Sequence, residues 1–228
     1  SMTADTLIRR ADERLGIKTL TPMQAEMARV KLPSRIRLTA PTGSGKTLAF
    51  ALAFLRSLKG EPESIRGVVL VPTRELALQV FEVLRTLATP DFKAVALYGG
   101  HSMETEVNSL SGKPDIIVAT PGRLLDHIKR GSVSVYSAAS LVLDEYDKSL
   151  ELGFLRMKNL RTLILTSATQ LAEMPDFLGD EAVKHFDYSD AGENAGGEIE
   201  FLRVDSPSAD KLETLDALLH DLSGGRTI

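Results

Sequence analysis

Short apolar runs rich in β-branched residues recur along the chain, and longer stretches with apolar positions at helical spacing lie between them. Ile36–Thr39, Gly67–Val71, Ala94–Tyr98, Asp115–Ala119, Ser140–Leu143 and Thr162–Thr166 read as strands. Their apolar character is continuous rather than alternating, which fits strands covered on both faces, as in a parallel sheet. Lys46–Leu58, Arg74–Ala88 and Gly122–Arg130 read as helices. Alternation of this length predicts an α/β domain built on a doubly wound parallel sheet. Ligands of such sheets bind beyond the carboxyl ends of the strands, so the loops that follow the strands are where chemistry is expected.

Ser189–Gly197, S-D-A-G-E-N-A-G-G, is polar and Gly-rich and reads as a linker. Residues 1–188 then form one domain. Beyond the linker, Glu198–Val204 alternates like a strand and Ala209–Leu222 is an amphipathic helix. Gly224-Gly225 leads into a new apolar run, so residues 198–228 are expected to be the truncated start of a second α/β domain. Ser1-Met2 reads as the remnant of an expression tag.

Composition narrows the function classes. With 43% hydrophobic and 25% charged residues, a packed core is expected. The run Leu48–Leu55 is far shorter than the roughly 20 residues of a membrane span, and no charged segment followed by an apolar one opens the chain. A cytoplasmic protein with no membrane association is expected. There is no cysteine, which excludes disulfide scaffolds, thiolate metal sites and cysteine nucleophiles. The net charge of −4 hides an asymmetry: residues 1–170 hold 23 Lys+Arg against 17 Asp+Glu, the remainder 4 against 14. A nucleic-acid site belongs in the first part.

Ala40–Thr47 reads A-P-T-G-S-G-K-T, after a strand and at the start of a helix. This is the context of a phosphate-binding loop. Gly43 and Gly45 allow successive N–H groups to curl toward an anion, and the helix start adds partial positive charge. Lys46 is suited to β- and γ-phosphates and the Thr47 hydroxyl to Mg²⁺. Leu141–Asp147, L-V-L-D-E-Y-D, ends a second strand with carboxylates. Asp144 is placed to hold the metal, and Glu145 to orient and deprotonate an attacking water. Both face the same point only because the chain leaves the pleat there.

Taken in order, these and further motifs resemble a DEAD-box RNA helicase of superfamily 2 over residues 15 to 228. Gly16–Gln24 (G-I-K-T-L-T-P-M-Q) resembles the Q motif, and Ala40–Thr47 motif I. Pro72–Gln79 (P-T-R-E-L-A-L-Q) resembles motif Ia, Gly99-Gly100 the GG motif, Thr120–Arg123 (T-P-G-R) motif Ib, D-E-Y-D motif II and Ser167–Thr169 (S-A-T) motif III. The resemblance implies two RecA-like domains, of which this chain carries the first. It places Ile17, Thr19 and Gln24 at the adenine. Thr42, Gly43, Ser44, Gly45, Lys46 and Thr47 fall at the phosphates, Thr47 and Asp144 at Mg²⁺, and Lys46, Asp144, Glu145, Ser167 and Thr169 in catalysis. Gln24 offers one donor and one acceptor, which match adenine N6 and N7 and would select ATP over GTP.

Pro72, Thr73 and Arg74, then Gly99 and Gly100, then Thr120, Pro121, Gly122 and Arg123, each follow a strand. Small residues, free N–H groups and an Arg at two of the turns suit RNA phosphates; nothing there suits base edges. Single-stranded or duplex RNA, bound through its backbone, is the implied partner, together with the second RecA-like domain in cis. That domain supplies the family's arginine fingers, worth about 10³–10⁵ in rate, so this half alone is expected to bind nucleotide and to hydrolyse it poorly.

Two other readings remain, a catalytically weak RNA-binding scaffold and a DNA helicase of the same superfamily. The intact Lys46, Thr47, Asp144 and Glu145 favour the enzyme. The Q motif with P-T-R-E-L-A and T-P-G-R favours RNA. Ile17 stands where the family has an aromatic, and Tyr146 where it has a small Ala. A helix is expected from about Lys148, with Leu150, Leu152 and Phe154 as its apolar positions. The family has a longer helix there, so residues between Phe154 and Leu163 are expected to belong to the protein although the sequence shown lacks them.

Overall fold

The structure is a computed structural model that describes residues 2–147, 149–169 and 183–190. In chain order it contains α1 (Ala4–Leu15), α2 (Pro22–Arg29), β1 (Arg35–Thr39), α3 (Lys46–Ser57), β2 (Gly67–Leu70), α4 (Arg74–Ala88) and β3 (Ala94–Leu97). It continues with α5 (Met103–Ser111), β4 (Ile116–Ala119), α6 (Pro121–Arg130), β5 (Ser140–Leu143), β6 (Thr162–Ser167) and β7 (Val183–Asp187). The seven strands form one sheet in the order β3-β4-β2-β5-β6-β1-β7, and every pairing is parallel.

The predicted α/β class and all six predicted strands are present, with ends displaced by a residue or so. Hydrogen bonding extends β1 back to Arg35, ends β2 at Leu70 and β3 at Leu97, and starts β4 at Ile116. The pattern does not predict α1, α2, α5 or β7. The three helices are short or largely polar, and each begins at a hydroxyl cap: Thr3, Thr21 and Ser102 accept from Thr6, Gln24 and Thr105 N–H. Tertiary contacts hold α1 in place. Arg10 donates to Leu87 C=O at 2.9 Å, and Arg14 to Thr86 and Thr89 C=O at 2.9 and 2.7 Å. These cations occupy carbonyls at the end of α4 that have no intrahelical partner.

Successive side chains of each strand pack to opposite faces. In β2, Val69 joins the core under α1–α4, and Val68 and Leu70 join the core on the other face. α3 is apolar around most of its circumference, with Phe50, Leu52, Phe54 and Leu55 fully buried. That explains why its sequence reads as a continuous apolar run rather than a stripe.

The expected helix after D-E-Y-D does not form. β5 and β6 are adjacent and parallel, so their connection must return along the sheet, and residues 149–161 do so in turns and irregular chain instead of a helix. Leu155 N–H closes one turn on Leu152 C=O at 3.1 Å. Leu152, Phe154, Leu155, Met157 and Leu160 are all buried in the second core, which compensates for the missing helical ladder with apolar burial. The linker reading touches the described residues only at Ser189 and Asp190, which form a turn. The strand and helix expected over 198–228 lie outside the described residues. Among the described residues no helix is long and apolar enough to cross a membrane.

Candidate nucleotide site and nucleic-acid edge

The sheet order sorts motifs that alternate along the chain into two groups on one edge. β5, β6 and β1 are neighbours, so D-E-Y-D, S-A-T and the phosphate loop emerge side by side. β3, β4 and β2 are also neighbours, so Gly99-Gly100, Thr120–Arg123 and Pro72–Arg74 emerge together on the other half.

In the first group, Gly43 and Gly45 have φ of +82° and +87°, left-handed values that other residues adopt only at a cost. A Cβ on Gly45 would lie 2.4 Å from Gln24 Nε2, so this position needs glycine for space as well. Ser44 Oγ braces the loop by donating to Pro41 C=O at 2.6 Å. Lys46, the first residue of α3, is buried and aims its ammonium at the acids that follow β5. It donates to Glu145 Oε1 and lies 3.6 Å from Asp144 Oδ1. Thr47 is half-buried in the same turn.

Glu145 reaches this point by leaving the pleat, with φ of +53°. A non-glycine residue in this region is strained, and such strain is concentrated at functional sites. Asp144 is almost fully buried. Burial raises its pKa above the ordinary 3.8; the charge of Lys46 and a hydrogen bond from Thr166 oppose the shift, and Glu145 adds to it.

Thr166 is a residue the sequence reading missed. Its hydroxyl donates to Asp144 Oδ1 and accepts from Glu145 N–H at 3.0 Å, fixing both acids at once. Its only mark in the sequence is a polar side chain at the end of the buried run L-I-L-T. Ser167 and Thr169 brace each other, Ser167 Oγ donating to Thr169 C=O at 2.6 Å, while Ser167 C=O accepts from Ala40 N–H at 3.0 Å. Motif III is thereby tied to the start of the phosphate loop.

Gln24 is buried, and its amide is engaged at both ends: Oε1 accepts from Thr21 N–H at 3.0 Å, and Nε2 donates to Gly45 C=O at 3.1 Å. The side chain expected to read adenine is thus bonded directly to the phosphate loop. Thr19 is exposed, and Ile17 packs against the core. Tyr146 is buried in the second core, with its N–H on Thr166 C=O at 2.8 Å.

In the second group, Pro72, Thr73 and Arg74 are exposed, and Thr73 caps α4 by accepting from Leu76 N–H at 3.2 Å. Arg74 lies against Gly100, where a Cβ would come within 2.4 Å of Nη1; Gly100 has φ of +112°. Around Gly99 and Gly122 the space is open, which lets an extended ligand approach the backbone. Thr120 stands at the N-cap of α6 without a side-chain cap bond, and Pro121 opens that helix. Arg123, expected at the RNA phosphates, is half-buried. It donates to Glu106 Oε1 at 2.6 Å and to His101 C=O at 2.8 Å.

A phosphate loop joined to paired acids on one half of a parallel edge, with three glycine- or cap-bearing turns on the other, is matched by a family model. The DEAD/DEAH box helicase model covers residues 21–176. The chain belongs to this family. Among curated relatives, it is 46% identical over 147 residues to "ATP-dependent rRNA helicase RRP3" of Ajellomyces capsulatus, covering 63% of this chain and 30% of that one. It is 46% identical over 143 residues to "ATP-dependent RNA helicase DbpA" of Escherichia coli, covering 61% and 31%. The chain thus spans about a third of the length of these relatives.

Of the solved structures, a DEAD box protein from the hyperthermophile Methanococcus jannaschii aligns with a TM-score of 0.63 and 32% identity, over 75% of this chain and 49% of that one. The yeast DEAD-box splicing factor Prp28 aligns with a TM-score of 0.62 and 30% identity, over 73% and 45%. These matches make the sheet a RecA-like helicase fold.

Proposed function

We propose that this chain is the ATP-binding half of an ATP-dependent RNA helicase that couples RNA-stimulated ATP hydrolysis to local unwinding of duplexes or remodelling of RNA–protein complexes. The observation that carries this reading is the convergence of Lys46, Asp144 and Glu145 beside the left-handed glycines of the phosphate loop. Curated relatives that share this half are ATP-dependent RNA helicases, which supports the assignment of substrate.

The donor set fits Mg²⁺: the Thr47 hydroxyl and the Asp144 carboxylate are hard oxygen ligands. Among the described residues no three His, Cys, Asp or Glu side chains form a metal cage, which suits an ion that shares its coordination with substrate phosphates. When bound, the ion neutralises charge on the β- and γ-phosphate oxygens. Lys46 exchanges its carboxylate partners for phosphate oxygens as nucleotide enters, and Glu145, released from Lys46, is free to accept the proton of the attacking water. Thr166 keeps Asp144 and Glu145 in place throughout. Gln24, held against Gly45, links base recognition to the conformation of the loop.

RNA lies along Pro72–Arg74, Gly99-Gly100 and Thr120–Arg123 through its phosphates. Residues 189–197 are the linker and residues 198–228 the start of the second RecA-like domain, which closes over ATP and RNA and supplies the arginine fingers. The test is RNA-stimulated ATP hydrolysis by the full-length protein and its Glu145→Gln variant. Loss of the general base is expected to lower kcat by about 10²–10⁴ with ATP still bound. An unchanged rate refutes the assignment.

A further inference from the structure

α5 turns Glu106 inward, and its side chain is only 1% exposed. Groups from two segments, the turn after β3 and α6, converge on this one carboxylate. Oε1 accepts from Arg123 Nε at 2.6 Å and His127 Nε2 at 2.7 Å. Oε2 accepts from Tyr98 N–H at 2.8 Å and lies 2.8 Å from His101 Nδ1. Arg123 then reaches on to His101 C=O at 2.8 Å, and the His101 ring packs against that of Tyr98 with centroids 4.1 Å apart.

Tyr98 and His101 bracket Gly99-Gly100, and Arg123 closes the T-P-G-R turn. A buried carboxylate is costly unless its oxygens are filled by well-placed donors. Here they are filled only when both turns hold this relative geometry, because their donors come from both. The charge of Arg123 is likewise compensated only while Glu106 stays in place.

We propose that Glu106 is a positioning residue of the RNA edge. It acts through Tyr98, His101 and Arg123 to lock the GG turn and the T-P-G-R turn into one rigid surface whose backbone N–H groups meet consecutive RNA phosphates. Arg123 accordingly braces the T-P-G-R turn through its Nε and Nη2. This inference rests on the reading of that edge as the RNA track.

The test is Glu106→Gln in the full-length protein. The amide keeps the shape, but its NH₂ meets donors whichever way it is turned, since Tyr98 N–H lies on one side and Arg123 on the other. RNA affinity is expected to fall about tenfold, with KM for RNA raised, kcat at saturating RNA little changed and ADP affinity unaffected. In a double-mutant cycle with Arg123→Ala, the pair is expected to lose no more RNA affinity than the larger single loss, because the two residues act as a unit.

Additive losses would overturn the proposal, as would a parallel loss of ADP binding, which marks general unfolding. Arg74→Ala, on an exposed cation that Glu106 does not touch, separates the two levels. RNA binding weakened by Arg74→Ala but untouched by Glu106→Gln overturns the positioning role alone. Binding untouched by both overturns the RNA edge itself.

Discussion

Gly45→Ala offers a quantitative test of how the Q motif and the phosphate loop are joined. Two costs act at this position. The backbone sits at φ of +87°, where an L side chain costs about 1–2 kcal/mol. The new Cβ would also lie 2.4 Å from Gln24 Nε2. Gln24 must then leave Gly45 C=O and its capping bond to Thr21, each worth about 1 kcal/mol. Together these predict a loss of about 3–4 kcal/mol, or roughly 6–16 °C in Tm for a domain of this size.

Gly43→Ala is the internal control. Its φ of +82° carries the same backbone cost, but no atom lies within 4 Å of its Cβ, so only about 1–2 kcal/mol is expected. Thermal unfolding of both variants, and of Gly45→Ala on a Gln24→Ala background, measures the terms separately. The Gln24→Ala background is expected to bring the cost of Gly45→Ala down to that of Gly43→Ala. Equal shifts for the two single variants would refute the coupling.

Lys46→Ala is expected to abolish ATP and ADP binding in calorimetry while the far-UV CD spectrum is kept, because the variant removes the cation at the start of α3 that follows the phosphate loop. Arg74→Ala is expected to weaken RNA binding evenly across sequences and to reduce the salt slope by about one unit; fluorescence titrations at several salt concentrations check both. Asp144 has a raised pKa because of its burial, so its ionisation costs the ligand-free fold stability. That cost is absent below pH 3.8 and grows as pH rises through the raised value. Asp144→Asn is therefore expected to raise the urea midpoint at pH 7 and to leave it unchanged near pH 3, at the expense of ATP hydrolysis.

Local chemistry alone identifies the α/β class, the six strands from Ile36 to Thr166, and the residues of the phosphate loop and D-E-Y-D. Apolar runs of strand length and a Gly-Ser-Gly-Lys-Thr turn report on their own segments, whatever lies around them. Strand order does not work that way. Nothing within a strand says which neighbour it pairs with, so only the tertiary structure sorts motifs that alternate in sequence into one group on β5-β6-β1 and another on β3-β4-β2.

The same limit hides the residues that brace the site. Thr166 is one hydroxyl at the end of an apolar run, and Glu106 one acid on a short helix that the hydrophobic pattern does not predict. Each matters because of what lies opposite, Asp144 with Glu145 in one case and Arg123 with His127 and Tyr98 in the other. Arg123 reads from sequence as a phosphate ligand because a charge beside a Gly-rich turn looks free. Its bond to Glu106 spans 17 residues, and a contact of that kind exists only after the chain has folded.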